Sequence, residues 1–198
     1  MLDCHSFFPC HKFFNFSSYP RKNHTGPSKG IMNNAHQTVL VIGYGNDLRS
    51  DDAVGKRVAE AVATWKLPSV QALAVHQLTP ELTVKLTDVD RAIFVDAYTA
   101  THDQQVQEVQ VRPLKPVHTG GVAGHTGDPQ SLLALTKALY SHCPQAWWVT
   151  IPGVNFEVGD SLSLPAERGV AVALERIDQL IQETHPTAEG DAPCMKSD

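Results

Sequence analysis

Residues 39–46, Val39-Leu40-Val41-Ile42-Gly43-Tyr44-Gly45-Asn46, form an almost unbroken β-branched and aliphatic run that closes in a glycine-spaced turn. A strand that reads apolar on both faces belongs inside a sheet covered on both sides, typically a parallel sheet with helical crossovers. The turn leads at once to Asp51 and Asp52 and the start of a helical pattern. Glycines at 43 and 45 would let the backbone approach a bound group closely. A dinucleotide fingerprint needs a third glycine three residues after the second, and that position is Leu48. Adjacent carboxylates would repel a nucleotide phosphate; they suit a cation.

From residue 38 onward, strand and helix patterns alternate. Strands are predicted over 38–43, 70–75, 91–95 and 147–151, with an edge strand over 106–112 where apolar and polar residues alternate. A helix is predicted over 52–65, where Val54, Val58, Ala61, Val62 and Trp65 recur at helical spacing and Pro68 ends the run. Asp128 and Pro129 read as N-cap and first residue of a helix reaching about 141, and 165–182 is a last amphipathic helix. Thr79 is expected to cap a short helix with Pro80 in its first turn and Glu81 and Asp88 on its wet side. The sum is an α/β chain in three layers: a mostly parallel twisted sheet of about five strands, with helices on both faces. Residues 36–184 make up this one domain, and 198 residues with 42% hydrophobic content supply a sizeable core.

Composition removes several classes. A net charge of -5 argues against a nucleic-acid partner, because phosphate binding wants a basic face. No apolar run approaches the roughly 20 residues that span a bilayer. Cys4, Cys10, Cys143 and Cys194 lack zinc-ligand or redox spacing, so a reduced, cytoplasmic protein is expected. Residues 1–35 hold Phe7, Phe8, Phe13, Phe14 and Phe16 with only Asp3 as an acid, and read as a disordered extension. Its competing uses are a targeting arm, a partner-binding tail, or an upstream extension of a reading frame that starts at Met32, the last being preferred. The polar tail over 185–198 is expected to be disordered as well. No unmatched apolar helix face is evident, which favours a monomer.

Ligands of open α/β sheets bind beyond the carboxyl ends of the strands. Asn46, Asp51 and Asp52 fall there after the first strand, His76 and Gln77 after the second, and Asp96 after the third. The Gly-, Pro- and His-rich loop over 113–127 brings His118 and His125 toward the same rim, His118 the more distant from the ligand-holding helix start. Two carboxylates and an imidazole from separate elements would suit a divalent first-row metal and leave coordination positions open. Each residue also has a plainer reading. Asp51 would cap the first helix, Asp52 favour its positive end, Asp96 end a strand, and His125 face solvent. His76 reads equally as pocket wall or ligand. A Gly-x-Ser-x-Gly elbow, a His-Glu-x-x-His helix and a Walker loop are all missing, and no sequence feature activates Cys143. If the chain is a hydrolase, metal-assisted chemistry is the route left.

Over residues 38–183 the chain resembles the hydrogenase maturation proteases, which process the large subunit of nickel–iron hydrogenases. The likeness rests on Gly43-Tyr44-Gly45-Asn46 with Leu48 and Asp51-Asp52-Ala53-Val54-Gly55, on Phe94-Val95-Asp96-Ala97, on Gly124-His125, and on Gly159-Asp160-Ser161-Leu162-Ser163. The segment from His76 to Leu82 is similar to the subgroup that serves NAD-linked bidirectional hydrogenases of cyanobacterial type. The resemblance implies that Asp52, Asp96 and His125 contact the metal and carry catalysis, with Gly43, Gly45, Asn46 and His76 around them. Many members carry Glu where this chain has Asp52, so either the helix start sits closer to the metal or Asp51 shares the task. It further implies a site empty at rest, with nickel arriving inside the substrate. That substrate would be the hydrogenase large-subunit precursor, whose C-terminal extension is cleaved off. The rival readings are a non-hydrolytic nickel-handling accessory protein of the same fold, a nucleotide-binding domain, and a general metallopeptidase.

Overall fold

The computed structural model describes residues 37–100, 108–116 and 127–183. The expectations for residues 1–35, for the tail, for Cys4, Cys10 and Cys194, and for His118 and His125 fall outside the described residues. Five strands, β1 (Val39–Tyr44), β2 (Val70–Val75), β3 (Arg91–Thr99), β4 (Gln110–Leu114) and β5 (Gln145–Gly153), form one sheet in the order β2-β1-β3-β5-β4. β1 pairs in parallel with β2 and β3, and β3 with β5; β4 alone runs antiparallel, against β5. The helices are α1 (Val54–Ala63), α2 (Thr83–Thr87), α3 (Pro129–Tyr140) and α4 (Leu164–Gln182). Single 3₁₀ turns, Ser50–Ala53 and Pro80–Leu82, lead into α1 and α2.

The apolar run of β1 is divided between two cores by the two-residue period of a strand. Val39 and Val41 face α1 and α4, joining Val54, Val58, Ile93, Val95, Val149, Val170 and Ile177. Leu40, Ile42 and Tyr44 face α2 and α3, joining Leu86, Phe94, Leu132 and Leu133. Every residue of β1 is buried, as expected of a strand covered on both faces. Among the described residues, no helix is long and apolar enough to cross a membrane.

Three expectations are adjusted. β3 continues to Thr99, so Asp96 lies within the ladder, paired with Thr150, instead of ending the strand. β4 lies further along the chain than 106–112 because its register is set by Ala146 to Thr150 of β5, and Pro113 is tolerated on that outer strand. Thr79 makes no capping bond; its hydroxyl bonds the exposed Glu81 carboxyl, which it holds below the usual range. At α3 the capping prediction holds: Asp128 Oδ2 accepts from Ser131 N at 3.0 Å, Pro129 follows it, and Ser141 closes the helix at φ 55°.

Candidate functional site

The end of β1 and the start of α1 touch backbone to backbone. A Cβ on Gly43 would lie 1.8 Å from Gly55 O, and one on Gly45, where φ is +140°, 1.8 Å from Asp52 O. The close approach that these glycines permit is therefore to the helix itself and not to a bound group. The turn is completed by Asn46, whose Oδ1 accepts from Leu48 N at 3.0 Å and whose own N–H donates to Asp52 Oδ2 at 2.9 Å. Gly45 N donates to His76 O at 3.3 Å, but the His76 side chain is exposed, as is that of Gln77.

The adjacent carboxylates of Asp51 and Asp52 point to different tasks. Asp51 is 0% exposed and accepts four bonds: Val154 N at 2.8 Å, Asn155 N at 2.9 Å, Ser163 N at 2.7 Å and Ser163 Oγ at 2.7 Å. Burial alone would raise its pKa, but the bonds from Ser163, Asn155 and Val154 outweigh burial and hold the carboxyl below its ordinary value. It is not a helix cap, since neither the 3₁₀ turn nor α1 has a side-chain capping bond. Instead it fastens the loop after β5 to the turn after β1. Ser50 N donates to Gly159 O at 2.9 Å, and Gly159 N returns a bond to Leu48 O at 3.0 Å. These bonds, with that from Ser50 Oγ to Glu157 O at 3.1 Å, hold Ser50 at φ 46°. Oδ2 accepts three of these bonds and Oδ1 the fourth, so the Asp51 carboxylate is committed to holding this loop.

Asp52 is half-buried and bonded through one oxygen, Oδ2, leaving Oδ1 without a recorded bond among the described residues. Asp96, also half-buried, accepts from Ala97 N through Oδ1 at 2.8 Å. Burial pushes the Asp96 pKa up to about 6; Tyr44 and the Ala97 N–H oppose this, and the negative charge of Asp52 adds to it. That last effect places Asp52 and Asp96 within electrostatic reach of one another at the carboxyl edge of the sheet. No positive charge is among the influences on Asp96. Two carboxylates within electrostatic reach of each other, with no positive charge among the described residues acting on Asp96, form an arrangement that suits a divalent ion. Among the described residues no group of three His, Cys, Asp or Glu side chains gathers as a metal site. The described part contributes two carboxylates, and His125 lies outside it.

Sequence reasoning overlooked Tyr44. Gly43 pairs with Val95, so Tyr44 lies level with Asp96 on the α2–α3 face of the sheet. Its side chain is 7% exposed, and burial, then the charges of Asp96 and Asp128, raise its pKa far above the usual phenol range, with the facing Trp148 indole acting the other way. The signal available was parity: residues 44 and 96 occupy equivalent places on neighbouring strands. Cys143 is a free thiol whose pKa burial raises.

No protein-family model matches the chain, and no curated protein matches it in sequence. Solved structures do match. The NiFe hydrogenase maturation protease HycI from Thermococcus kodakarensis is 21% identical with a TM-score of 0.59, over 76% of this chain and 96% of its own. HybD from Thermococcus kodakarensis is 20% identical with a TM-score of 0.58, over 73% of this chain and 99% of its own. The hydrogenase maturating endopeptidase HybD from E. coli is 21% identical with a TM-score of 0.59, over 73% of this chain and 91% of its own. The five-stranded, mostly parallel sheet with helices on both faces is thus the fold of the hydrogenase maturation proteases.

Proposed function

We propose that this chain is an endopeptidase of hydrogenase maturation: it recognises nickel in the large-subunit precursor and removes the precursor's C-terminal extension. The observation that carries the reading is the nearness of Asp52 to Asp96, on which no positive charge among the described residues acts, where β1 ends beside β3 in this fold. In this reading the ion is part of the substrate. Asp52 and Asp96 grip it from α1 and β3, and His125 supplies a third ligand. Residue 125 is three positions before Asp128, the N-cap of α3, whose charge acts on Tyr44. Nickel ranks high in divalent affinity, so this donor set would distinguish loaded from empty precursor. The ion would polarise the scissile carbonyl or a water. His76 and the segment after it favour the subgroup serving cyanobacterial NAD-linked bidirectional hydrogenases, with the reaction in the cytoplasm.

Incubation of the purified protein with nickel-loaded precursor should release the extension, read as a loss of C-terminal mass. Asp96→Ala and His125→Ala should abolish that loss by at least about a hundredfold while the thermal melt stays cooperative. Full cleavage by folded Asp96→Ala protein would overturn the reading. Tight binding of the precursor by the wild type with no mass change would favour the non-hydrolytic nickel-handling alternative.

A further inference from the structure

Tyr44 Oη and Trp148 Nε1 are both buried, and neither has a hydrogen-bond partner among the described residues. Two such donors in one place are unusual, because a buried polar group left unpaired loses its bonds to water without replacement. Their positions explain the coincidence. Tyr44 ends β1 and Trp148 lies on β5, with β3 between them. Phe94 of β3 pairs with Trp148, so residues 44, 94, 96 and 148 share one face of the sheet. The two long side chains reach toward each other over β3, where the phenol faces both the indole and the Asp96 carboxyl. Trp148 is braced from its far side by Arg112 of β4, whose guanidinium carbon lies 4.2 Å from the ring centroid.

The geometry points to Tyr44 as a positioning residue for Asp96, itself oriented by Trp148. The indole N–H can only donate, and the phenol can accept from it while donating onward. A small rotation of the Asp96 carboxyl would then close a chain from Trp148 through Tyr44 to Asp96 and satisfy both orphans together. The carboxylate would be held from beneath by Tyr44 and from the backbone by Ala97 N, with its remaining lone pairs aimed outward over the rim. Tyr44 touches neither substrate nor ion in this arrangement; it fixes the direction in which Asp96 offers itself.

The inference rests on the proposed function, and the test separates the two. Affinity for nickel-loaded precursor is measured by titration calorimetry for wild type, Tyr44→Phe, Asp96→Asn and the double variant, all with intact thermal melts. Tyr44→Phe should weaken binding about tenfold, and the double variant should bind no more weakly than Asp96→Asn alone, because the phenol acts through Asp96. Trp148→Phe should give a smaller loss, about threefold, with the same lack of additivity, and carries the test if Tyr44→Phe does not fold. Unchanged affinity in the single variants, or additive losses in the double, would overturn the inference. A wild type that binds no precursor would overturn the proposed function instead.

Discussion

Asp51 and Asp96 are both withdrawn from water, yet the protein treats them in opposite ways. Around Asp51, the loop after β5 folds back so that three backbone N–H groups and one hydroxyl converge on a single carboxylate. Around Asp96, one backbone N–H donates, an unpaired phenol stands by, and a second carboxylate approaches. The pKa shifts follow: that of Asp51 is lowered and that of Asp96 is raised to about 6. A satisfied buried charge fixes structure. An under-satisfied one stores unfavourable energy that a ligand could release.

The comparison can be tested by deleting each carboxylate in turn. Asp51→Ala would leave four donors without an acceptor and free the loop from the turn; a loss of about 3–5 kcal/mol in denaturant unfolding is expected. A loss below about 1 kcal/mol would break the contrast from the Asp51 side. Asp96→Asn should do the reverse and stabilise the fold at pH 7.5 by about 1–3 kcal/mol, since ionising a carboxyl with a raised pKa opposes folding. Between pH 3.8 and about 6 the folded protein retains a proton that the unfolded chain has released. Stability of the wild type therefore falls as pH rises through that window, and the advantage of Asp96→Asn should disappear near pH 3.5. An advantage independent of pH would show that the gain has another source. Ser163→Ala sharpens the comparison most finely, removing one of Asp51's four donors and the cap of α4, whose Oγ accepts from Ala166 N at 3.4 Å. About 1 kcal/mol should be lost, detectable as a few degrees in Tm.

The sheet was readable because its signals are local and repeated. The run at 39–44 could only be a strand buried on both sides, and Asp128-Pro129 opens a helix by short-range chemistry alone. The exit of β3 was misjudged because Asp96 resembles a turn residue, whereas pairing with Thr150, more than fifty positions away, keeps it in the ladder. Asp51 and Asp52 could not be told apart in sequence for the same reason. What distinguishes them is a loop about a hundred residues later that supplies donors to one and not the other. Tyr44 was passed over because an aromatic at the end of an aliphatic strand reads as core, and its significance depends on which residue stands level with it across the ladder.

The contact between Gly43 and Gly55 has a consequence for how reach is measured at the rim. With no side chain at either position, strand and helix rest against each other at the shortest spacing their main chains allow. The first turn of α1 therefore has a hard stop behind it and cannot retreat to accommodate a longer acid at position 52. Adding one methylene there would carry the charge outward by about 1.5 Å, measured from a fixed origin. The two glycines thus set how far the carboxylate of residue 52 extends beyond the end of β1.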